Sequence, residues 1–161
     1  MPLHEGEQPI QQCRLFEDGR FFHADEKARF IFEKPREVPE PTDSEYPFTL
    51  LTGGGSSAQW HTQTRTLKSD VLQRLSPATI YVEINPRDAE NFGILGNSEV
   101  IVVSRRAQIV ATAVITTTVQ QGQVFIPMHF AATSQLTANA VDPYSRQPNY
   151  KACAVTIRPR K

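Results

Sequence analysis

From residue 48 onward the chain alternates between short apolar runs and polar turn signals. Phe48 to Thr52 is an apolar segment ending in Gly53-Gly54-Gly55. Ile80 to Ile84 (IYVEI) alternates inward and outward, as a half-buried strand does. Glu99 to Ser104 and Ile109 to Thr116 are rich in β-branched residues and predict two strands joined by residues 105–108. Val124-Phe125-Ile126 and Lys151 to Ile157 predict two more. Helical signals are few. Ser69 to Leu75 suits a short helix, and Asn85-Pro86 opens another, with Asn as cap and Pro in the first turn. Gly93 closes it at the usual C-terminal glycine position. Short strands with one or two small helices predict a mainly β barrel or an α+β fold.

The first 46 residues read differently. Residues 1–12 are a polar lead-in. Arg14 to Phe32 predicts a hairpin-like arm turning at Asp18-Gly19, and the stretch to Pro47 carries prolines at 35, 39, 41 and 47. Proline density excludes a helix or central strand there, so an extended linker on a surface is expected. The organisation read from this is an arm and linker over 1–46 and a barrel over 47–161.

Composition narrows the function. Seventeen Lys and Arg balance 17 Asp and Glu in 161 residues, which argues against nucleic-acid binding by bulk charge. No apolar run is long enough to span a membrane. The polar, acidic N-terminus is not a secretory signal, so a cytoplasmic location is the default expectation. The two cysteines, Cys13 and Cys153, are far apart, so neither a disulfide framework nor a zinc site is expected. Cys153 lies in an apolar run and reads as a buried thiol.

Two segments carry candidate chemistry. In the first, Thr52 to Thr66, consecutive glycines let the backbone approach a ligand, and Gly53 and Gly54 are candidate contacts. Thr62, Thr64 and Thr66 offer hydroxyls, Arg65 can bind a phosphate bidentately, and Trp60 can stack on a flat ring. A flexible Gly/Ser loop is the structural alternative. The second segment, Pro127 to Lys151, is too aromatic for a disordered loop. Ser134 and Gln147 supply neutral donors and acceptors, Lys151 a cation, and Tyr150 a ring, which suits a polycyclic amide-bearing ligand. The alternative is a loop that merely packs on the barrel. Self-contained catalysis is poorly supported. The histidines at 4, 23, 61 and 129 show no metal-ligand spacing, and no nucleophile elbow is present.

Taken in order, these segments resemble the C-terminal part of molybdopterin oxidoreductases, nearest to assimilatory nitrate reductases, with formate dehydrogenases next. The residues that carry the resemblance are Gln59-Trp-His-Thr-Gln-Thr-Arg-Thr66, Val82-Glu-Ile-Asn-Pro-Arg-Asp88 with Phe92-Gly-Ile94, and Val102-Val-Ser-Arg-Arg106. Val124-Phe-Ile-Pro-Met-His-Phe130, Leu136-Thr137 and Asp142 to Val155 complete the set. The resemblance implies a six-stranded double-psi β-barrel that binds a bis-molybdopterin guanine dinucleotide and its molybdenum jointly with other domains. It implies phosphate and pterin contacts at Trp60, His61, Thr62, Thr64, Arg65 and Thr66, pterin-side contacts at Tyr150 and Lys151, and His129 close to the cofactor. Ser134 stands where relatives often carry Asn, Ala107 where they carry a hairpin Gly, and Gly53 to Gly55 where they carry an Arg-bearing loop start. The cysteines for an iron–sulfur centre and the molybdenum ligand of such enzymes are not in this sequence. The chain therefore reads as part of a nitrate reductase catalytic subunit, its partners being the remaining domains and its redox donor open, and as inactive alone. A formate dehydrogenase-like domain, a stand-alone double-psi barrel interaction module, and a self-cleaving decarboxylase-like barrel at Gly55-Ser56 are the alternatives.

Overall fold

The structure is a computed structural model describing residues 15–32, 34–60 and 62–161. The chain forms two units, Met1–Arg36 and Glu37–Lys161. The second contains six strands: β1 (Phe48–Gly53), β2 (Tyr81–Ile84), β3 (Glu99–Ser104), β4 (Gln108–Ile115), β5 (Gln123–Pro127) and β6 (Cys153–Pro159). They close into a barrel in the order β1-β5-β2-β4-β3-β6. Two neighbouring pairs, β1 with β5 and β2 with β4, are parallel, and the other four are antiparallel. This is the expected double-psi barrel.

Alternation explains the closure. Every second residue of β1, β2 and β3 is buried. Leu50, Val82, Ile84, Val100, Val102, Val124, Ile126 and Val155 fill the interior almost without solvent exposure. Burial at about 25 cal/mol per Å² of apolar surface is the main stabilising term for such a core. A closed ring also leaves no strand edge exposed.

Three short helices lie in the connections between strands: α1 (Asp70–Leu75) between β1 and β2, α2 (Pro86–Asn91) between β2 and β3, and α3 (Thr133–Leu136) between β5 and β6. Helix α2 starts as the sequence indicates. The Asn85 side chain accepts from the Arg87 N–H at 3.1 Å and donates to the Val119 carbonyl at 2.8 Å. Gly93 ends it with φ of 62°. Helix α3 lies inside the long segment after β5, and its fully buried Leu136 packs into the barrel core. The β3–β4 turn holds no left-handed residue at 105–108, so Ala107 is unstrained there. Instead the Ser104 hydroxyl accepts from the Arg106 and Ala107 N–H groups at 3.2 and 3.3 Å.

The Pro-rich segment before β1 is extended and tied to the barrel. Glu40 accepts hydrogen bonds from Arg105 (3.0 Å), from Arg106 (2.9 and 2.7 Å) and from the Ala154 N–H (3.2 Å). Arg105 also pairs with Asp43 and lies over the Tyr46 ring, 4.5 Å from its centre.

In the first unit the predicted hairpin is not formed. No strand occurs among residues 15–32. The Asp18-Gly19 turn is present, with the Gly19 N–H donating to the Phe16 carbonyl at 2.9 Å. Phe16, Phe21 and Phe22 then cluster locally, with Phe16 and Phe21 stacked at 4.5 Å. Two short strands without a third are marginal in water, and local turn bonds win here. Cys13 lies outside the described residues. Cys153 is buried, as expected.

Candidate functional site

The parallel β1–β5 pairing builds the site. Gly53 and Pro127, the last residues of the two strands, are register partners, so both following segments emerge at one barrel end. The Met128 N–H donates to the Gly53 carbonyl at 2.9 Å. Strand β6 runs antiparallel to β1, which brings the residues before Cys153 to the same end. The Thr52 hydroxyl donates to the Tyr150 carbonyl at 2.8 Å across 98 residues of sequence. Two segments far apart in the chain are thus laced together by strand direction.

A cleft of about 300 Å³ opens between them, lined by Thr52, Thr62, Met128, Thr133, Ser134, Thr137 and Tyr150. Three expected contact residues, Thr62, Ser134 and Tyr150, therefore share one recess. Its walls combine hydroxyls with a thioether and one aromatic ring. Two residues further along the first loop, Thr64 and Arg65 line a second recess with Lys68. That pairing of two cations with a hydroxyl suits a phosphate.

The remaining expected residues divide by position. Gly53 is half-buried and Gly54 exposed. A Cβ at Gly54 would meet nothing within 4 Å, so the backbone is open there to an approaching ligand. Trp60 is half-exposed, and its indole N–H donates to the Ser57 carbonyl. His61 lies outside the described residues. Thr66 is buried, and its hydroxyl both donates to the Ala58 carbonyl at 2.6 Å and accepts from the Trp60 N–H at 2.9 Å. Thr66 thereby holds the loop closed. Gln147 accepts the Asp142 N–H through its carbonyl at 2.8 Å, and both Gln147 and Lys151 are exposed. The cleft does not include them.

His129 is buried, and its Nδ1 has no hydrogen-bond partner. The same holds for Nε2 of Gln59, a residue that motif reading places only at the start of the first loop. Gln59 Oε1 accepts from the Ser56 N–H at 3.0 Å. The Gln59 side chain occupies the space a Cβ would take at Gly55, since its Oε1 would lie 2.0 Å from that atom, with Pro127 Cβ at 3.1 Å. Gly55 is thus the most closely hemmed of the three, while a Cβ at Gly53 would meet the Phe125 ring at 3.3 Å and one at Gly54 nothing. A buried unpaired polar group costs ~1–3 kcal/mol, so two of them at one barrel end are a local departure from full satisfaction. Thr62 and Gln63 add strain, with φ of 51° and 68°. A β-branched residue in that region is an outlier, and such conformations cluster at ligand sites.

The donor set fits part of a large cofactor. Hydroxyls and an aromatic ring face one recess, cations face the next, and open backbone lies between the strands and the loop. Neither recess is large enough for a dinucleotide by itself.

Fold and rim together define a closed six-stranded barrel with a cleft at one end, between two segments distant in the sequence. Residues 48–154 match the family model described as "Molydopterin dinucleotide binding domain", and the chain belongs to that family. It is 42% identical over 121 residues to the F420-dependent formate dehydrogenase 1 subunit alpha of Methanococcus maripaludis, covering 73% of this chain and 18% of that protein. It is 37% identical to a nitrate reductase of Synechocystis over a 168-residue alignment, covering 98% of this chain and 23% of that protein. The acetylene hydratase of Pelobacter acetylenicus shares the fold, with a TM-score of 0.58 at 15% identity over 72% of this chain and 19% of that one. The chain spans about a fifth of the length of the curated relatives it matches. Among the described residues, no helix is long and apolar enough to cross a membrane.

Proposed function

We propose that this chain is the cofactor-covering domain of a molybdenum-dependent nitrate reductase catalytic subunit. In this reading it binds a bis-molybdopterin guanine dinucleotide together with the remaining domains, and the whole enzyme reduces nitrate to nitrite. The observation that carries the reading is the meeting of the two loops, which sets a ring-and-hydroxyl cleft beside a cationic recess. Tyr150, Thr62 and Ser134 take the pterin side, with Trp60 and His129 close by. Thr64, Arg65 and Lys68 take phosphate oxygens, and Gly53 and Gly54 allow close backbone approach. When bound, the cofactor supplies two-electron redox chemistry at molybdenum, while the residues named here bind it, orient it and exclude water. Any iron–sulfur centre and the redox donor belong to the other domains. In this assimilatory reading the enzyme is cytoplasmic, which cell fractionation checks.

Nitrate is supported by the Synechocystis nitrate reductase, which matches 98% of this chain, although a formate dehydrogenase alpha subunit matching 89% of it also reaches into the arm. The formate dehydrogenase reading is supported by the higher identity of the shorter match. The test uses the full-length polypeptide that carries this segment. Molybdenum content, and viologen-linked turnover with nitrate and with formate, separate the two enzymes. Arg65→Ala should lower molybdenum retention, because a charge-assisted phosphate bond contributes ~1.5–3 kcal/mol. Nitrate turnover by the 161-residue chain alone would overturn the reading.

A further inference from the structure

The wall of the cleft that carries Ser134 and Thr137 is built on one turn of helix, α3. A single turn does not sustain itself in water, and no side chain caps its start. Bonds from outside hold both ends. At the start, the buried Thr133 hydroxyl donates to the Pro127 carbonyl at 2.9 Å. At the finish, the Leu136 carbonyl accepts from Arg106, through Nε at 3.2 Å and Nη2 at 2.8 Å, and from the Cys153 thiol at 3.4 Å. The fully buried Leu136 side chain fixes where that residue sits. It leaves open the rotation of the peptide that follows. That peptide is planar, so the Leu136 carbonyl and the Thr137 N–H turn as one unit. Anchoring the carbonyl therefore sets the Thr137 N–H, and with it the residue whose hydroxyl donates to the Ser134 carbonyl at 2.9 Å.

Arg106 can act as an anchor because its own place is fixed. Its Nη1 and Nη2 donate to the two oxygens of Glu40, at 2.9 and 2.7 Å, in the two-pronged pattern that a guanidinium fits. Glu40 stands between Pro39 and Pro41, whose rings restrict the backbone on either side. It also accepts the Ala154 N–H of β6 at 3.2 Å, which ties it to the barrel. A clamp between the linker and the β3–β4 turn would be complete with Glu40 alone. Arg106 commits Nε, and shares Nη2, on the wall of the cleft. A lysine, with one nitrogen, cannot grip a carboxylate and a carbonyl from two sides in this way. We propose that Arg106, oriented by Glu40, is a positioning residue for the ligand cleft: it sets the plane of the Leu136–Thr137 peptide, and so the face that α3 turns toward the cofactor. The proposal rests on the cofactor reading above.

Loss of molybdenum from the full-length holoenzyme, followed by elemental analysis through repeated filtration, separates positioning from stability. The control is N85A. It removes the cap of α2 at the barrel end opposite the cleft, since Ile84 pairs with Val124 whereas the cleft follows Pro127. R106K should release molybdenum at least about fivefold faster than the parent. N85A should release it at the parent rate, although both variants lower the urea midpoint of the 161-residue chain. E40Q should shift release in the same direction by a smaller factor, and it decides the matter where R106K fails to fold. Release at the parent rate in these variants, or a rise matched by N85A, overturns the proposal. Amide exchange in the isolated chain gives a readout without the cofactor. Exchange at Thr137 should rise in R106K at least about tenfold more than exchange across β2. A rise no larger than that of β2 overturns the positioning role. A full-length protein that purifies without molybdenum, while Thr137 exchange responds as expected, counts against the proposed function and supports the positioning of α3.

Discussion

Replacing Glu40 by Gln should destabilise the barrel at neutral pH and cease to matter in acid. The Glu40 side chain is 11% exposed, against 36% for Arg105 and 31% for Arg106. The hydrogen bond from Arg106 is the main reason its carboxyl titrates at about 2 instead of 4.5, with burial opposing and Arg105 and the Ala154 N–H assisting. The gap of about 2.5 pH units, at 1.36 kcal/mol each, gives roughly 3.4 kcal/mol as an upper bound. The arginines are about a third exposed, so solvent screening reduces this to about 1.5–3 kcal/mol. The sign is fixed by the depressed value: the stabilisation is complete above pH 4.5 and is lost as pH falls toward 2. Urea unfolding of the parent chain and E40Q at pH 7, 4.5 and 3 measures it. The other carboxylates titrate in both proteins and cancel in the difference. The stability gap should be about 1.5–3 kcal/mol at pH 7 and should have lost at least half of that by pH 3. A gap that stays constant down to pH 3 would show that shape and packing, not charge, make Glu40 matter. The strut also reaches the cleft, because Arg106 donates to the Leu136 carbonyl at 3.2 and 2.8 Å at the end of α3. E40Q should therefore speed amide exchange at Thr137, a cleft residue whose N–H bonds to the Ser134 carbonyl.

The loop glycines should separate on substitution. Gly55→Ala should cost about 1–3 kcal/mol, because its Cβ collides with the buried Gln59 side chain and the Ser56–Gln59 bond must break; Gly54→Ala should leave the urea midpoint unchanged. Equal effects at the two positions would discount the collision. Thr66→Val should cost about 1–3 kcal/mol and alter the emission of Trp60, the single tryptophan, since two hydrogen bonds that close the loop are lost. Thr66→Ser should retain both bonds and most of the stability. Burial raises the Cys153 thiol above its ordinary range, so in a Cys13→Ser background the folded chain should resist iodoacetamide and react only when unfolded. Fast labelling of the folded chain would mean the core around Leu136 opens readily.

The strands were legible because β-branched alternation states which residues face inward. Helix α2 was legible because Asn85, Pro86 and Gly93 each have a local reason for their places. The partners of the strands were not readable by the same means. Periodicity assigns faces and says nothing about which strand lies beside which, and the parallel β1–β5 pairing is what makes the two loops meet. Glu40 was hidden for a related reason. Prolines at 39 and 41 correctly indicate an extended segment, but the hydrogen bonds of Glu40 run to Arg105, Arg106 and Ala154, more than 60 residues away. The arm failed in the opposite direction. Its turn signal was real, yet a turn does not create the third strand that a lasting hairpin needs. Within the site, Thr62, Ser134 and Tyr150 came from motif similarity and share a cleft. Gly55 and Gln59 carried a weaker signal, a third glycine four residues before an amide, which gains meaning only once the loop folds back on itself.

The barrel and its rim follow opposite physical rules. In the barrel, alternation, capping and burial agree, and the interior is filled by aliphatic side chains almost free of solvent. At the end where β1 and β5 finish, the agreement breaks. Two buried polar atoms, Gln59 Nε2 and His129 Nδ1, lack partners, and Thr62 and Gln63 hold left-handed backbone. Asn97 has the same backbone sign, but there an Asn in a tight turn is the residue type that tolerates it. Thr62 has no such excuse, and it lines the cleft. A sequence selected only for stability would remove these costs one residue at a time. Such costs at the end that carries both recesses support the binding reading proposed above.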